Sequence, residues 1–148
     1  MFKHILVPVD GSSTALMAAQ RAAQLAKAFG SRVTLMFVID PYPFVSLGGD
    51  FAFGQVEYLS AAKAEANLAI RTAKAKLEAV GVPAESCIEE ATAVWRGVVQ
   101  AAQDEQVDLI VIGSHGRSGL ERLVLGSVTQ AVLAHTQVAV LVVRDDKH

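Results

Sequence analysis

The chain alternates short apolar runs with segments whose apolar residues recur at helical spacing. Most of the apolar runs are nearly continuous, which is typical of strands covered on both faces, whereas residues 86–91 alternate in the manner of a half-exposed edge strand. The predicted strands are 4–9, 33–39, 86–91, 108–112 and 138–143.

Helical periodicity predicts one helix between each pair of consecutive strands. The first helix should end before Gly30, because glycine is the usual residue just past a helix C-terminus. Residues 41–58, rich in proline, glycine and phenylalanine, are predicted to form an irregular loop. We expect this loop to fold back onto the protein's own apolar surface rather than over a ligand or a partner. The predicted helices are 15–29, 60–80, 95–105 and 128–135.

Alternation of strands and helices predicts an α/β fold, a parallel sheet with helices on both faces. In such sheets a ligand lies beyond the carboxyl ends of the strands, where the strand order reverses. Asp10 and Gly11 follow the first predicted strand and Gly113 follows the fourth. We therefore expect these two segments to be neighbours at that place.

Composition narrows the class of protein further. The whole chain, 148 residues, is expected to form one domain. A net charge of −2 provides no global basic field, so nucleic acid is not an expected partner. A single cysteine, Cys87, excludes an intrachain disulfide, and the N-terminus has no signal-peptide pattern. These features favour a cytoplasmic location.

The segment after the fourth strand is rich in glycine and precedes a predicted helix. Backbone can approach an anion closely only where Cβ is absent, and a helix N-terminus offers free N–H groups to the anion. Ser127 and Gln130 also match a capping box, which would place such groups at the start of that helix. The residues that suit a phosphate site are Gly113, Gly116, Gly119, Gly126 and Ser127.

The glycine spacing matches neither the P-loop nor the dinucleotide-binding fingerprint. Residues 117–125 would span about 30 Å if extended, far more than a triphosphate needs. We therefore expect this stretch to double back, with a short helical turn as the means. The residues alone leave two interpretations equally open, a phosphate cradle, or turn glycines followed by an ordinary helix cap.

Three segments taken together resemble the universal stress protein family: 4–12 at the front, the glycine pattern of 113–127, and 138–143 at the back. The resemblance covers essentially the whole chain. It implies a doubly wound, five-stranded parallel sheet of order 3-2-1-4-5. The glycine pattern is similar to that of the ATP-binding branch of the family, so the resemblance implies ATP as the ligand. Mg²⁺ commonly accompanies a triphosphate.

The resemblance also assigns residues to parts of the nucleotide. Pro8, Val9 and Asp10 would meet adenine and ribose, with the Asp10 carboxylate accepting from ribose hydroxyls, although Asp10 could instead be a simple helix N-cap. Val38 would contact adenine. The residues implied for ribose and phosphates are Gly113, Ser114, His115, Gly116, Arg117, Ser118 and Gly119, with Gly126, Ser127 and Val128 around the terminal phosphates. Arg117 supplies positive charge, and His115 is expected to orient the loop.

No catalytic constellation or metal-ligand spacing stands out, so we predict neither catalytic residues nor a protein-held metal. Three functions remain: an ATP-binding stress-response regulator, a weak ATPase or autophosphorylating protein, and a nucleotide-free interaction module. The resemblance implies a homodimer in which strand 138–143 pairs with its copy, which would cover an apolar sheet edge. The sequence does not identify the regulatory protein partner; a membrane transporter subunit, a kinase and a metabolic enzyme are equally compatible.

Overall fold

The computed structural model describes residues 1–41, 52–116 and 125–145. These residues contain one parallel sheet of order β3-β2-β1-β4-β5, with helices on both faces, which confirms the predicted α/β fold and strand order. In chain order the elements are β1 (His4–Pro8), α1 (Ser13–Phe29), β2 (Arg32–Ile39), α2 (Ala52–Glu78), β3 (Glu85–Glu90), α3 (Val94–Asp104), β4 (Leu109–Gly113), α4 (Ser127–His135) and β5 (Ala139–Val143).

Two apolar layers hold the helices against the sheet. On one face, α1 and α2 bury alanines and Leu77 against alternate residues of the strands, such as Ile5 and Leu35. On the other face, α3 and α4 bury Val98 and Val132 against the intervening strand residues. The small alanine side chains of α1 allow its backbone to lie close to the sheet, which fixes where the helix begins relative to the end of β1.

Strand β1 lies at the centre of the sheet, between β2 and β4. The chain proceeds from β1 outward to β3 on one side and then returns to place β4 on the other side. The order therefore reverses between β1 and β4, and a crevice is expected beyond the carboxyl ends of these strands. This position determines which loops can form a site.

The segment before α2 differs from the sequence prediction. Helix α2 begins at Ala52, so the prediction of irregular structure is wrong for residues 52–58. Gly54 favours a loop on propensity alone, but the hydroxyl of Tyr58 donates to the Asp40 carbonyl at 3.0 Å and fastens this turn to the end of β2. The rest of the predicted loop, residues 42–51, lies outside the described residues.

Candidate functional site

A crevice of about 120 Å³ lies at the carboxyl ends of the central strands. It brings together the end of β1, the start of α1, the last residues of β2 and β4, and the starts of α3 and α4. Most of its surface is apolar. The lining residues are Pro8, Val9, Asp10, Ser12, Ala15, Met36, Val38, Val94, Ile112, Gly113, His115, Gly116, Val128 and Thr129.

Asp10 is held in place by the turn that leads into α1. Its Oδ1 accepts the backbone N–H of Ser12 at 2.9 Å. Ser12, rather than Asp10, is the N-cap of α1, because the Ser12 hydroxyl accepts the Ala15 N–H at 3.2 Å. Asp10 is thus not needed to cap the helix, and its carboxylate borders the crevice.

The second carboxylate oxygen of Asp10 faces Gly116 across the crevice. A Cβ atom at Gly116 would lie 2.5 Å from Asp10 Oδ2, well inside van der Waals contact. Glycine is therefore required at position 116 for the carboxylate to keep this position. The two segments that the sequence predicted to be neighbours are in contact.

Gly113 ends β4 at an equally close approach. A Cβ atom there would lie 2.8 Å from Thr14 Cγ2, so the absence of a side chain lets α1 begin directly beside β4. The Gly113 carbonyl accepts the buried hydroxyl of Thr129 at 2.8 Å, which fastens the first turn of α4 to the same point. Strand β4 and both helix starts are thereby fixed relative to one another.

Ser114 and His115, near the end of one described segment, lie beside Gly126, near the start of the next. Ser114 N–H donates to the Val143 carbonyl at 2.8 Å, and the Ser114 carbonyl accepts the Gly126 N–H at 2.7 Å. A Cβ atom at Gly126 would lie 3.0 Å from His115 Cα. These contacts confirm the prediction that the chain doubles back between Gly116 and Gly126. The predicted helical turn itself lies outside the described residues.

The start of α4 differs from the predicted capping box. Gly126 is the N-cap, Ser127 is the first helical residue and exposed, and no side chain caps the helix. Gln130 donates its side-chain amide to the Leu125 carbonyl instead of reaching back to the cap residue. The box prediction is wrong because glycine at 126, packed on His115, takes the cap position. The first hydrogen bond within α4 runs from the Gln130 N–H to the Gly126 carbonyl. The earlier N–H groups of this turn therefore have no partner within the helix.

The predicted site residues fall into three groups. Pro8, Val9, Asp10, Val38, Gly113, His115, Gly116 and Val128 line the crevice. Ser114, Gly126 and Ser127 lie next to it, with the Gly126 N–H already bonded within the chain. The residues that lie outside the described segments are Arg117, Ser118 and Gly119.

Several lining residues were not predicted from the sequence. Met36 and Ile112 lie near the ends of β2 and β4, and the period-2 pattern places Met36 on the same side as Val38, so this signal was available. Val94 belongs to the start of α3, and no local pattern relates it to the crevice. The remaining unpredicted lining residues are Ser12 and Ala15, at the start of α1, and Thr129, in the first turn of α4.

Two titratable side chains, Asp10 and His115, line the crevice. His115 is half-buried, and its Nδ1 lies 3.4 Å from the neighbouring Gly116 carbonyl, within its own loop. Across the described ranges, no group of three or more His, Cys, Asp or Glu residues could hold a metal ion. In the same ranges, no helix combines the length and hydropathy needed to cross a membrane.

Fold and crevice together define a doubly wound α/β protein with a crevice at the switch point of its sheet. A sequence model of the universal stress protein family matches residues 1–144. The chain therefore belongs to the universal stress protein family.

Relatives and solved structures agree with this assignment. Universal stress protein MJ0531 of Methanocaldococcus jannaschii is 35% identical over 99% of this chain and 85% of its own length. The structure of protein MJ0577 from the same organism superposes with a TM-score of 0.85 at 32% identity, covering 100% of this chain and 99% of that one. A crystal structure of a universal stress protein in complex with cAMP has a TM-score of 0.68 at 25% identity, covering 97% of each chain.

Proposed function

We propose that this universal stress protein binds ATP in the crevice between β1 and β4, and that it acts in the cytoplasm as a regulatory homodimer. The observation that carries the proposal is the contact between Asp10 and Gly116 at the switch point of the sheet. A carboxylate held beside a glycine-lined backbone offers an acceptor for hydroxyls and an approach for phosphates within one small site.

Each part of the nucleotide has a counterpart in the lining. The apolar side of the crevice, with Met36, Val38 and Val94, suits a purine ring. The Asp10 carboxylate, fastened by the Ser12 N–H, suits the ribose hydroxyls. The relative crystallised with cAMP supports an adenine nucleotide as the ligand class.

The phosphates would lie between the loop that begins at Gly113 and the start of α4. Because the Gly126 N–H is bonded to Ser114, the donors of this helix that have no partner among the described residues are the N–H groups of Ser127, Val128 and Thr129. We propose that Gly126 contributes to the site by packing closely on His115 rather than by contacting phosphate. Arg117, Ser118 and Gly119 would complete the phosphate contacts. Mg²⁺ would then be held chiefly by the triphosphate, as is usual for this ion.

The site is better suited to binding ATP than to catalysing a reaction of ATP. His115 is the histidine among the described lining residues. Its ring contacts the backbone of its own loop rather than a second side chain that would orient it for proton transfer. A weak ATPase or autophosphorylating protein is the second candidate. Of the hydroxyls Ser114, Ser127 and Thr129, the first and last are buried, so exposed Ser127 is the favoured acceptor among the described residues. A nucleotide-free interaction module is the third.

Incubating the purified protein with radiolabelled ATP separates these functions. We expect unmodified ATP to be retained, with Mg²⁺ present, at micromolar nucleotide concentrations. Released ADP or labelled protein would support the second function, and the Ser127→Ala variant would then show whether this hydroxyl accepts the phosphate. Absence of any adenine nucleotide binding would overturn the proposal and favour the interaction module.

A further inference from the structure

A second groove lies away from the crevice, between edge strand β3 and helix α3. It has a volume of about 530 Å³. Its floor is formed by half-buried Ala91, Trp95, Val99 and Ala101. The tryptophan ring is held by stacking on His135, with 4.1 Å between ring centroids, so this wall of the groove is preorganised.

Carboxylates border this apolar floor at its two ends. Glu89 and Glu90, at the end of β3, form one rim, and Asp104 and Glu105, at the end of α3, belong to the other. All four residues are exposed. The one cation among the lining residues, Arg96, lies over the Trp95 ring at 4.8 Å.

Cys87, at the middle of β3, lies close enough to these carboxylates for their negative charge to affect its thiol. Its burial, together with the charges of Glu105 and Glu89, raises the pKa of Cys87 to about 11. Glu105 and Glu89 both belong to the rims of the groove, and their negative charges disfavour the thiolate form of Cys87. The groove therefore offers apolar contact and a negative potential to the same ligand.

Strand β3 adds a third feature, an unpaired backbone edge. In the described part of the chain β3 pairs only with β2, so its outer edge has free N–H and C=O groups. The groove beside it follows α3, which is about 16 Å long and matches about five residues of extended chain. A strand added to β3 would direct alternate side chains into this groove.

We propose that the β3–α3 groove docks a basic extended segment of a partner protein, in which a central apolar stretch is flanked at both ends by cationic residues. The apolar residues that point into the groove lie on the floor, the cations at either end of the segment reach the two acidic rims, and the backbone extends the sheet. A second copy of β3 does not fit, because the like charges of its own glutamates would oppose pairing. Acidic residues on an edge strand also discourage aggregation, but Asp104 and Glu105 belong to the helix side, where that purpose does not require them.

The test measures binding of a fluorescent eight-residue peptide that has four central valines and two lysines at each end, using fluorescence anisotropy. Two control peptides are matched in length: one has glutamate in place of each lysine, and the other has the lysine–valine composition with a central proline that prevents strand pairing. We expect the lysine–valine peptide to bind and both controls to bind at least about tenfold more weakly.

Two double variants of the protein locate the site. Glu90→Lys with Asp104→Lys should weaken the lysine–valine peptide at least about tenfold, because both rims change sign. Glu57→Lys with Glu78→Lys makes the same charge change on exposed positions of α2 and should leave binding unchanged. Hydrogen exchange should show slower exchange of β3 amides with the peptide bound.

Equal weakening by both double variants would overturn the proposal, since it would indicate attraction to net charge alone. Protection at β5 in place of β3, equal binding of the glutamate–valine peptide, or no binding of the lysine–valine peptide would overturn it as well. Each variant changes exposed side chains, and its circular dichroism spectrum and Tm will show whether the fold is retained.

Discussion

Two buried threonines beside the crevice differ in whether their hydroxyl has a hydrogen-bond partner. Thr129 Oγ1 donates to the Gly113 carbonyl at 2.8 Å. Thr14 Oγ1 is buried and has no hydrogen-bond partner among the described residues. A buried polar group without a partner destabilises the folded state, whereas removing one half of a buried hydrogen bond leaves the other half unsatisfied.

Replacing each threonine by its isostere valine should therefore have opposite effects. We expect Thr14→Val to increase the free energy of unfolding by about 1 kcal/mol, and Thr129→Val to decrease it by about 1–2 kcal/mol. Urea unfolding monitored by circular dichroism measures both values. A similar loss of stability in the two variants would mean that Thr14 does have a partner, contrary to the structure.

At the level of single residues, the sequence predicted that the segments after β1 and β4 are neighbours, but it did not predict why individual glycines are needed there. Gly116 and Gly126 were both expected to leave room for phosphate. In the structure their missing side chains first leave room for the protein itself, for Asp10 in one case and for His115 in the other. Contacts between residues about a hundred positions apart, such as Asp10 and Gly116, follow from the strand order and have no local signature.

At the scale of elements, strands β1 and β4 are joined at their starts by one carboxylate. Asp108 accepts the backbone N–H of Lys3 at 2.8 Å and that of His4 at 2.9 Å. Burial acts to raise the pKa of Asp108, but the hydrogen bonds from Lys3 and His4 outweigh it and hold the pKa below the model-compound value of 3.8. The charged form is therefore favoured in the folded protein.

This lowered pKa predicts a specific dependence of stability on pH. The contribution of Asp108 is fully present above pH 3.8 and is lost as the pH falls through the lower pKa of the folded state. We expect Asp108→Asn to be less stable than the wild type at pH 7, with the difference shrinking below pH 3.8. Thermal unfolding of both proteins from pH 7 to pH 2.5 tests this; a constant difference in Tm would contradict it.

Most elements were predictable from periodicity because their apolar positions repeat at the period of a strand or a helix. The exceptions are starts of helices. Helix α2 starts at Ala52, in a stretch where aromatic residues and glycine obscure the pattern, and the start of α4 is set by packing of Gly126 on His115. In both places a tertiary contact decides the boundary, and such contacts cannot be read from neighbouring residues.

At the scale of the whole molecule, β5 is the edge strand next to β4, and Leu141 is 37% exposed there. If β5 pairs with its copy in the proposed homodimer, a charge at this position would be costly to bury. We expect Leu141→Arg to shift the protein from dimer toward a monomer of about 15.7 kDa in sedimentation velocity.

Leu68→Arg is the matched control for this prediction. Leu68 is 58% exposed on α2, on a different part of the surface, so the same substitution should leave the dimer intact. A wild-type protein that sediments as a monomer, or a Leu141→Arg variant that remains a dimer, would show that β5 is not the interface.

The central claim is that the crevice beside Asp10 and Gly116 binds ATP, and calorimetric titration of ATP into wild type and Gly116→Ala tests it most directly. The added methyl group would lie against the far end of the Asp10 side chain, which can rotate away, so the fold should be retained while the carboxylate loses its position. We predict one ATP per chain for the wild type and at least about tenfold weaker binding for the variant. Equal ATP affinity of two equally folded proteins would contradict the account.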